Sequence, residues 1–243
     1  MPALPHQQNI LAALNDGETT VQGQFLSGSN YTFMAQVVYE DLDLTAVYKP
    51  VRGEQPLWDF PSGTLSKREV AAYVLSEALG WELVPPTVFR RKLPLGPGSL
   101  QYYVEHDAEY HYFNFEEADR LRMKPVVVFD LLINNADRKG SHIIKDENGH
   151  LWLIDHGVCF HDEDKLRTVI WDFAGEAIPN QLLDDVRALV DRLDARETVY
   201  EQLLDWLTPR EVNAISARGR RLLASCRFPH PGGAHRPYPW PPV

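Results

Sequence analysis

The chain has 243 residues, enough for one large domain or two small lobes around a real core. Apolar residues make up 44% and charged residues 24%, which excludes a disordered or fibrous chain. With 24 basic and 34 acidic residues the net charge is −10, which argues against a general nucleic-acid binder or a protein that lies on anionic lipid, though not against a local basic pocket.

No apolar run reaches the ~18 residues of a membrane span. The longest candidates, VVVFDLLI (residues 126–133) and VAAYVLSEAL (residues 70–79), have the length of core helices. The N-terminus lacks a basic start followed by an apolar stretch, so no secretory signal is expected. Two cysteines, Cys159 and Cys226, cannot build a disulfide framework, and a reduced, cytoplasmic protein is the expectation.

Residues 5–14 carry Ile10, Leu11 and Leu14 on one face and end at Asp16-Gly17, which predicts a short helix. TVQGQFL, YTFMAQVVY and LTAVYKP then predict three antiparallel strands, with turns at Ser27-Gly28-Ser29-Asn30 and at residues 40–43. After a Pro/Gly-punctuated loop a helix begins at Ser66. Ser66 and Glu69 have capping-box spacing, and Gly80 stands where a C-terminal cap is expected. ELVPPTVF and SLQYYVEH predict two further strands. Residues 1–105 therefore read as a sheet-based lobe with one main helix.

Residues 119–134 predict a helix apolar on nearly all sides, hence buried. The loop NNADRKGS follows, and then the hairpin HIIKDENGHLWLI, turning at residues 146–149 and running into Asp155-His156-Gly157. A helix over residues 180–204 and another opened by Thr208-Pro209-Arg210-Glu211 complete a mainly helical lobe, residues 106–227. Residues 228–243 hold six prolines in the last 15 positions and predict an extended, weakly ordered tail. Trp240 in that tail is a candidate to engage a protein partner or to dock back on the domain.

Four features carry chemistry together. The Gly28, Ser29 and Asn30 turn can fold over phosphates and offer them backbone N–H groups. Lys49 ends the apolar strand TAVYK on the face of Val47 and Thr45. A cation there needs an anion, and Glu69 on the next helix is the candidate. Asp137 follows a buried helix, with Lys139 two residues on. Asp155 stands directly after the strand LWLI. This order is the set that phosphoryl transfer by the kinase route requires. Lys49, fixed by Glu69, would hold the α- and β-phosphates of ATP. Asp137 would orient the acceptor hydroxyl or take its proton, Lys139 would offset charge on the γ-phosphate, and Asp155 would hold the metal.

At GQFLSGSNYTF, AVYKP, REVAAYVLSEALGWELVPPTV, VFDLLINNADRKGSH and LIDHG the chain resembles the phosphatidylinositol 3- and 4-kinase superfamily. The resemblance is to its type II 4-kinase and HipA-like branch and to a small actinobacterial kinase-like family. It implies an α+β, two-lobed protein-kinase-like fold: an antiparallel-sheet N-lobe, a mainly helical C-lobe with a catalytic hairpin, and ATP between them. It implies a hinge whose Tyr103, Val104 and Glu105 backbone meets adenine. It also implies a divalent cofactor, Mg²⁺ or Mn²⁺, and a hydroxyl substrate.

Two departures stand out. His142 occupies the position where kinases usually carry a metal-binding asparagine. Imidazole suits Mg²⁺ less well than Mn²⁺ or Zn²⁺. Asn135 is a substitute oxygen donor. His156 replaces the usual phenylalanine, at a position that packs. The competing readings are a nucleotide-binding pseudokinase or scaffold, a metal-dependent hydrolase built on His142, His150, His156 and His161, and transfer of AMP. The remaining residues have structural explanations. Trp58 and Phe60 fold a loop onto the N-lobe, Trp152 packs in the hairpin, and Trp171 and Phe173 cover the region after Asp155, either as core or as a wall of the acceptor site. Arg218, Arg220 and Arg221 form a solvated helix face.

Overall fold

The computed structural model describes residues 7–25, 31–232 and 236–243. The predicted phosphate turn, Gly28, Ser29 and Asn30, lies outside the described residues. The order runs α1 (Gln7–Asp16), β1 (Glu18–Gln24), β2 (Phe33–Tyr39), β3 (Leu42–Pro50), α2 (Leu65–Leu79), β4 (Thr87–Arg90) and β5 (Gly98–Tyr102). The five strands form one antiparallel sheet in the order β1-β2-β3-β5-β4. Strand alternation sorts β3 into two faces. Ala46 and Tyr48 enter a core with Leu14, Ala35, Val37, Val88 and Leu100, while Val47 and Lys49 point the other way.

The second lobe holds α3 (Glu117–Leu121), α4 (Lys124–Ile133), the hairpin β6 (Ile143–Lys145) and β7 (Leu151–Leu153), α5 (Asn180–Asp194), α6 (Thr198–Leu204) and α7 (Pro209–Ser225). The arrangement is a two-lobed kinase-like fold. Helix α2 ties the lobes: it packs on β4 and β5, and its Ala71, Ala72, Leu75 and Leu79 belong to the large core of α4, α5, α6 and α7.

Three expectations change. The helix expected over residues 119–134 is two, because Pro125 lacks an N–H and fits only the first turn of α4. The helix expected over residues 180–204 breaks after Ala195, where Arg196 takes a left-handed φ of 52°. Ser66 and Glu69 form no capping box. The N-cap position is Thr64, the Ser66 N–H and hydroxyl both donate to Glu54 Oε1 at 2.9 Å, and Glu69 is committed elsewhere. By contrast Gly80 closes α2 at φ 67°, and the Thr208–Glu211 box opens α7 with both reciprocal bonds.

The proline-rich tail is extended, and it is tied to the C-lobe by bonds that composition does not predict. The Thr168 N–H donates to Pro237 O at 3.0 Å and the Gly140 N–H to Pro242 O at 2.8 Å, while Trp240 is largely exposed and holds Arg236 over its ring. Trp58 does not fold inward: it is 91% exposed, and only Phe60 is buried. Among the described residues no helix is long and apolar enough to cross a membrane.

Helices α5 and α7 cross so closely at Gly219 that a Cβ there would lie 2.5 Å from Val190 Cγ2. Gly219→Val should therefore destabilise the chain by about 1–3 kcal/mol through overpacking, read as a lowered urea midpoint at unchanged m-value.

Candidate active site

The face of β3 opposite the N-lobe core delivers Lys49 to the cleft between the lobes. Its Nζ lies 2.5 Å from Glu69 Oε1 on α2 and 3.0 Å from Asp155 Oδ1 after β7. One ammonium thus joins a strand of the first lobe, the helix shared by both and the hairpin of the second. Burial works against the Lys49 charge, but Asp155 and Glu69 outweigh it and raise its pKa above the usual lysine value. Lys49 in turn holds the Asp155 carboxyl well below the usual carboxylate range. Burial pushes Glu69 upward while Lys49 pulls it back. The second oxygen of Glu69 accepts the His156 N–H at 2.9 Å, so this carboxylate fixes both the lysine and the loop that carries Asp155.

Asp155 sits at φ 62°, a left-handed conformation that costs an L-residue about 1–2 kcal/mol. Its side chain remains 48% exposed toward the cleft. His142 Nε2 lies 3.3 Å from Asp155 Oδ2. Burial, with Arg138, Lys139 and Lys49 nearby, lowers the His142 pKa to about 4 against the pull of Asp155, so the ring is neutral at pH 7. A neutral imidazole has a lone pair to give, and an ionised, half-exposed carboxylate stands beside it. The pair fits a hard or borderline divalent ion whose remaining positions are filled by other oxygen donors. His142 Nδ1 faces the Lys139 N–H at 3.4 Å, so ligation through Nε2 requires the ring to change tautomer.

Asp137 Oδ2 and Lys139 Nζ are 3.4 Å apart at the mouth of the cleft. Burial raises the Asp137 pKa to about 6, with Asp155 adding to the rise and Lys139 opposing it. The residues expected at a hinge have partners of their own. The Tyr103 N–H donates to Thr45 O at 3.0 Å, Val104 clusters with Ile144 and Trp152, and Glu105 is exposed. Ile154, directly before Asp155, packs against that cluster. The Val104 carbonyl is already met by His106 Nδ1 at 2.8 Å.

What holds Asp137 and Asp155 in register is a buried pair absent from the sequence expectations. Arg138 is fully buried. Its guanidinium contacts both Asp130 oxygens at 2.9–3.2 Å, His142 O at 3.2 Å, Ile154 O at 3.1 Å and His156 Nε2 at 3.0 Å. Asn135 is engaged in the same network: its Nδ2 donates to Asp130 Oδ1 and its Oδ1 accepts the Asp137 N–H. The signal for this pair was Asp130 itself, a lone acid in the middle of VVVFDLLI that has to meet a cation once the helix is buried.

The four histidines do not converge. His156 is buried against Phe129, His150 Nε2 contacts Glu82 O at 2.8 Å, and His161 packs edge-on to Phe60. Among the described residues no group of three or more His, Cys, Asp or Glu could hold a metal. The hydrolase reading therefore loses the cluster it was built on.

The profile of the phosphatidylinositol 3- and 4-kinase family matches residues 62–208, and the chain belongs to that family. It is 40% identical over 265 aligned residues to Protein Rv2133c of Mycobacterium tuberculosis, covering 95% of this chain and 94% of that one. It is 31% identical to phosphatidylinositol 4-kinase gamma 4 of Arabidopsis thaliana over 59% of its own length and 30% of the plant protein. The crystal structure of the Helicobacter pylori proinflammatory kinase CtkA superposes with a TM-score of 0.53 at 11% identity, covering 86% of this chain and 92% of that one. That last likeness concerns the fold.

Removing the Arg138 guanidinium leaves Asp130 charged and buried without its cation. Arg138→Met should cost about 3–5 kcal/mol of stability in chemical denaturation, and adding Asp130→Leu should recover part of that loss.

Proposed function

We propose that the chain is an ATP-dependent phosphotransferase that passes the γ-phosphate to a hydroxyl acceptor. The observation that carries this reading is Lys49, whose ammonium bridges Glu69 and Asp155 across the cleft. Lys49 binds the α- and β-phosphates and Glu69 holds it there. The adenine lies against the Val104, Ile144 and Trp152 cluster, near the Tyr103–Glu105 backbone. Asp155, with His142 beside it, holds a divalent ion, which supplies charge neutralisation to the phosphates when bound. Asp137 orients the acceptor hydroxyl and takes its proton as the phosphoryl group moves to that oxygen. Lys139 stabilises the negative charge on the transferring group. Lobe boundaries near residues 105 and 227 follow from the same reading.

The test pairs two variants. Asp137→Asn should lower ATP turnover by at least about 100-fold, the lower end of the span for general-base removal, while the nucleotide-induced thermal shift stays near wild type. Lys49→Ala should diminish that thermal shift. Asp137→Asn with undiminished turnover overturns the assignment. Since Asp137 works as a carboxylate with a pKa near 6, kcat/KM of the wild type should be full above that pH. It should fall about tenfold per unit as pH drops below it. A labelled-phosphate screen over lipid inositol, soluble polyols and protein Ser/Thr identifies the acceptor.

His142 favours a second reading, a nucleotide-binding pseudokinase, because a neutral imidazole replaces the usual oxygen ligand. His142→Asn separates the two. If the ring is a ligand of an active enzyme, the variant should shift preference toward Mg²⁺ over Mn²⁺ in turnover assays. In a pseudokinase both metals leave turnover at background, before and after the substitution.

A further inference from the structure

The loop that carries Asp137 is held by bonds of its own lobe. The Arg167 N–H donates to Asn135 O at 2.9 Å, the Arg138 N–H to Arg167 O at 3.0 Å and the Val169 N–H to Arg138 O at 3.2 Å. Residues 135–138 and 167–169 therefore form a short ladder, in which Arg138 faces Thr168. The Asp130–Arg138 pair anchors the same loop from beneath. None of these bonds involves residues 236–243.

The proline-rich tail is laid over that ladder. Thr168 donates its N–H to Pro237 O at 3.0 Å, and Gly140, next to Lys139, donates its N–H to Pro242 O at 2.8 Å. The tail thus crosses from the second segment of the ladder to the end of the loop that carries Asp137 and Lys139. At Gly140 there is no spare room. A Cβ there would lie 2.8 Å from Phe113 Cδ2 and 3.6 Å from Pro242 O. Beside this contact the Lys139 side chain keeps only 20% of its surface open, and Asp137 33%.

The hold is light. Pro237, Pro239, Pro241 and Pro242 lack an N–H, so these residues can meet the lobe only with carbonyls. Pro239 is buried, but Arg236, Tyr238, Trp240, Pro241 and Val243 are exposed. Among the described residues the large core of the second lobe reaches Phe228 and includes nothing of the tail. Extended proline-rich segments dock as separate ligands elsewhere, since they are already ordered before they bind.

We propose that residues 236–243 are a releasable strap over the Lys139–Gly140 edge of the catalytic loop, one that excludes the hydroxyl acceptor until it is displaced. That this edge faces the acceptor rests on the phosphotransfer reading; the strap itself does not.

The test reads coverage without turnover. Lys139 is acetylated with sulfosuccinimidyl acetate and scored by peptide mass. Lys145, on β6 and paired with Asp119, is the internal reference. In a chain ended at residue 235, Lys139 should react at least about fivefold faster, the equivalent of about 1 kcal/mol or one net hydrogen bond, with Lys145 unchanged. Pro239→Asp in the full chain puts a charge at the buried tail position and should do the same. A synthetic peptide of residues 236–243 at about 1 mM, the order of effective concentration that linkage in one chain supplies, should slow Lys139 again in the shortened chain. The same peptide with Pro239→Asp should not. Unchanged Lys139 labelling in both released forms, or Lys145 accelerated along with Lys139, overturns the strap. In the labelled-phosphate screen, whichever acceptor responds should be phosphorylated at least about fivefold faster by both released forms, and equal or slower transfer overturns the exclusion of acceptor. A screen in which no form labels any acceptor, with Lys139 exposed on release as expected, counts against the phosphotransfer reading and leaves the strap standing.

Discussion

The structure depends on one buried guanidinium. Arg138 lies between the end of α4, the turn before β6 and the loop after β7, and it contacts all three. A charge taken fully out of water survives only with a carboxylate and a complete set of acceptors around it. Asp130, two carbonyls and a histidine nitrogen supply that set. Because those acceptors come from separate segments, satisfying Arg138 fixes Asp137, His142 and Asp155 relative to one another. The catalytic carboxylates of the proposal are positioned by a residue that need never touch a substrate.

The second constraint runs between lobes. Lys49 is the cation on the face of β3 turned away from the N-lobe core, and it reaches two carboxylates on other elements. Glu69 then accepts the His156 N–H, which restrains the loop where Asp155 holds its left-handed φ. The two buried networks meet at His156, bonded through its backbone to Glu69 and through its ring to Arg138. A disturbance of the Lys49–Glu69 pair and one of the Asp130–Arg138 pair would therefore reach Asp155 by the same residue.

The local rules that govern a residue by itself were legible in the sequence. Alternation put Lys49 on the face away from Ala46 and Tyr48, Gly80 closed its helix, and the Thr208–Glu211 box opened another. Where a side chain had a choice of partners the outcome was mixed: the Lys49–Glu69 pair formed as expected, and other readings failed. Ser66 and Glu69 have the spacing of a box, but a distant Glu54 satisfies Ser66, and Lys49 offers Glu69 a stronger partner. Arg218, Arg220 and Arg221 look alike in a helical sequence. Yet Arg218 turns under the carbonyls of Leu132 and His161, while Arg220 and Arg221 pair with Asp194 and Asp164 at the surface. The break at Arg196 has no glycine or proline to announce it. Asp130 was visible as an acid in an apolar helix, but its partner could be named only once the fold brought Arg138 to it.

Charge in the cleft gives the site its chemical character. Lys49 and Lys139 are outnumbered by Glu69, Asp137 and Asp155, and His142 is neutral. The described side chains therefore leave the cleft slightly negative before any polyphosphate arrives. A triphosphate brought to such a place is repelled unless positive charge comes with it or backbone N–H groups face it. A lone lysine locked between two carboxylates is already neutralised, and its pKa is raised for that reason. Asp155, ionised and open to the cleft, is suited to recruit the missing charge as a divalent ion. On the proposed reading, nucleotide and metal would depend on each other for binding in a cleft of this charge.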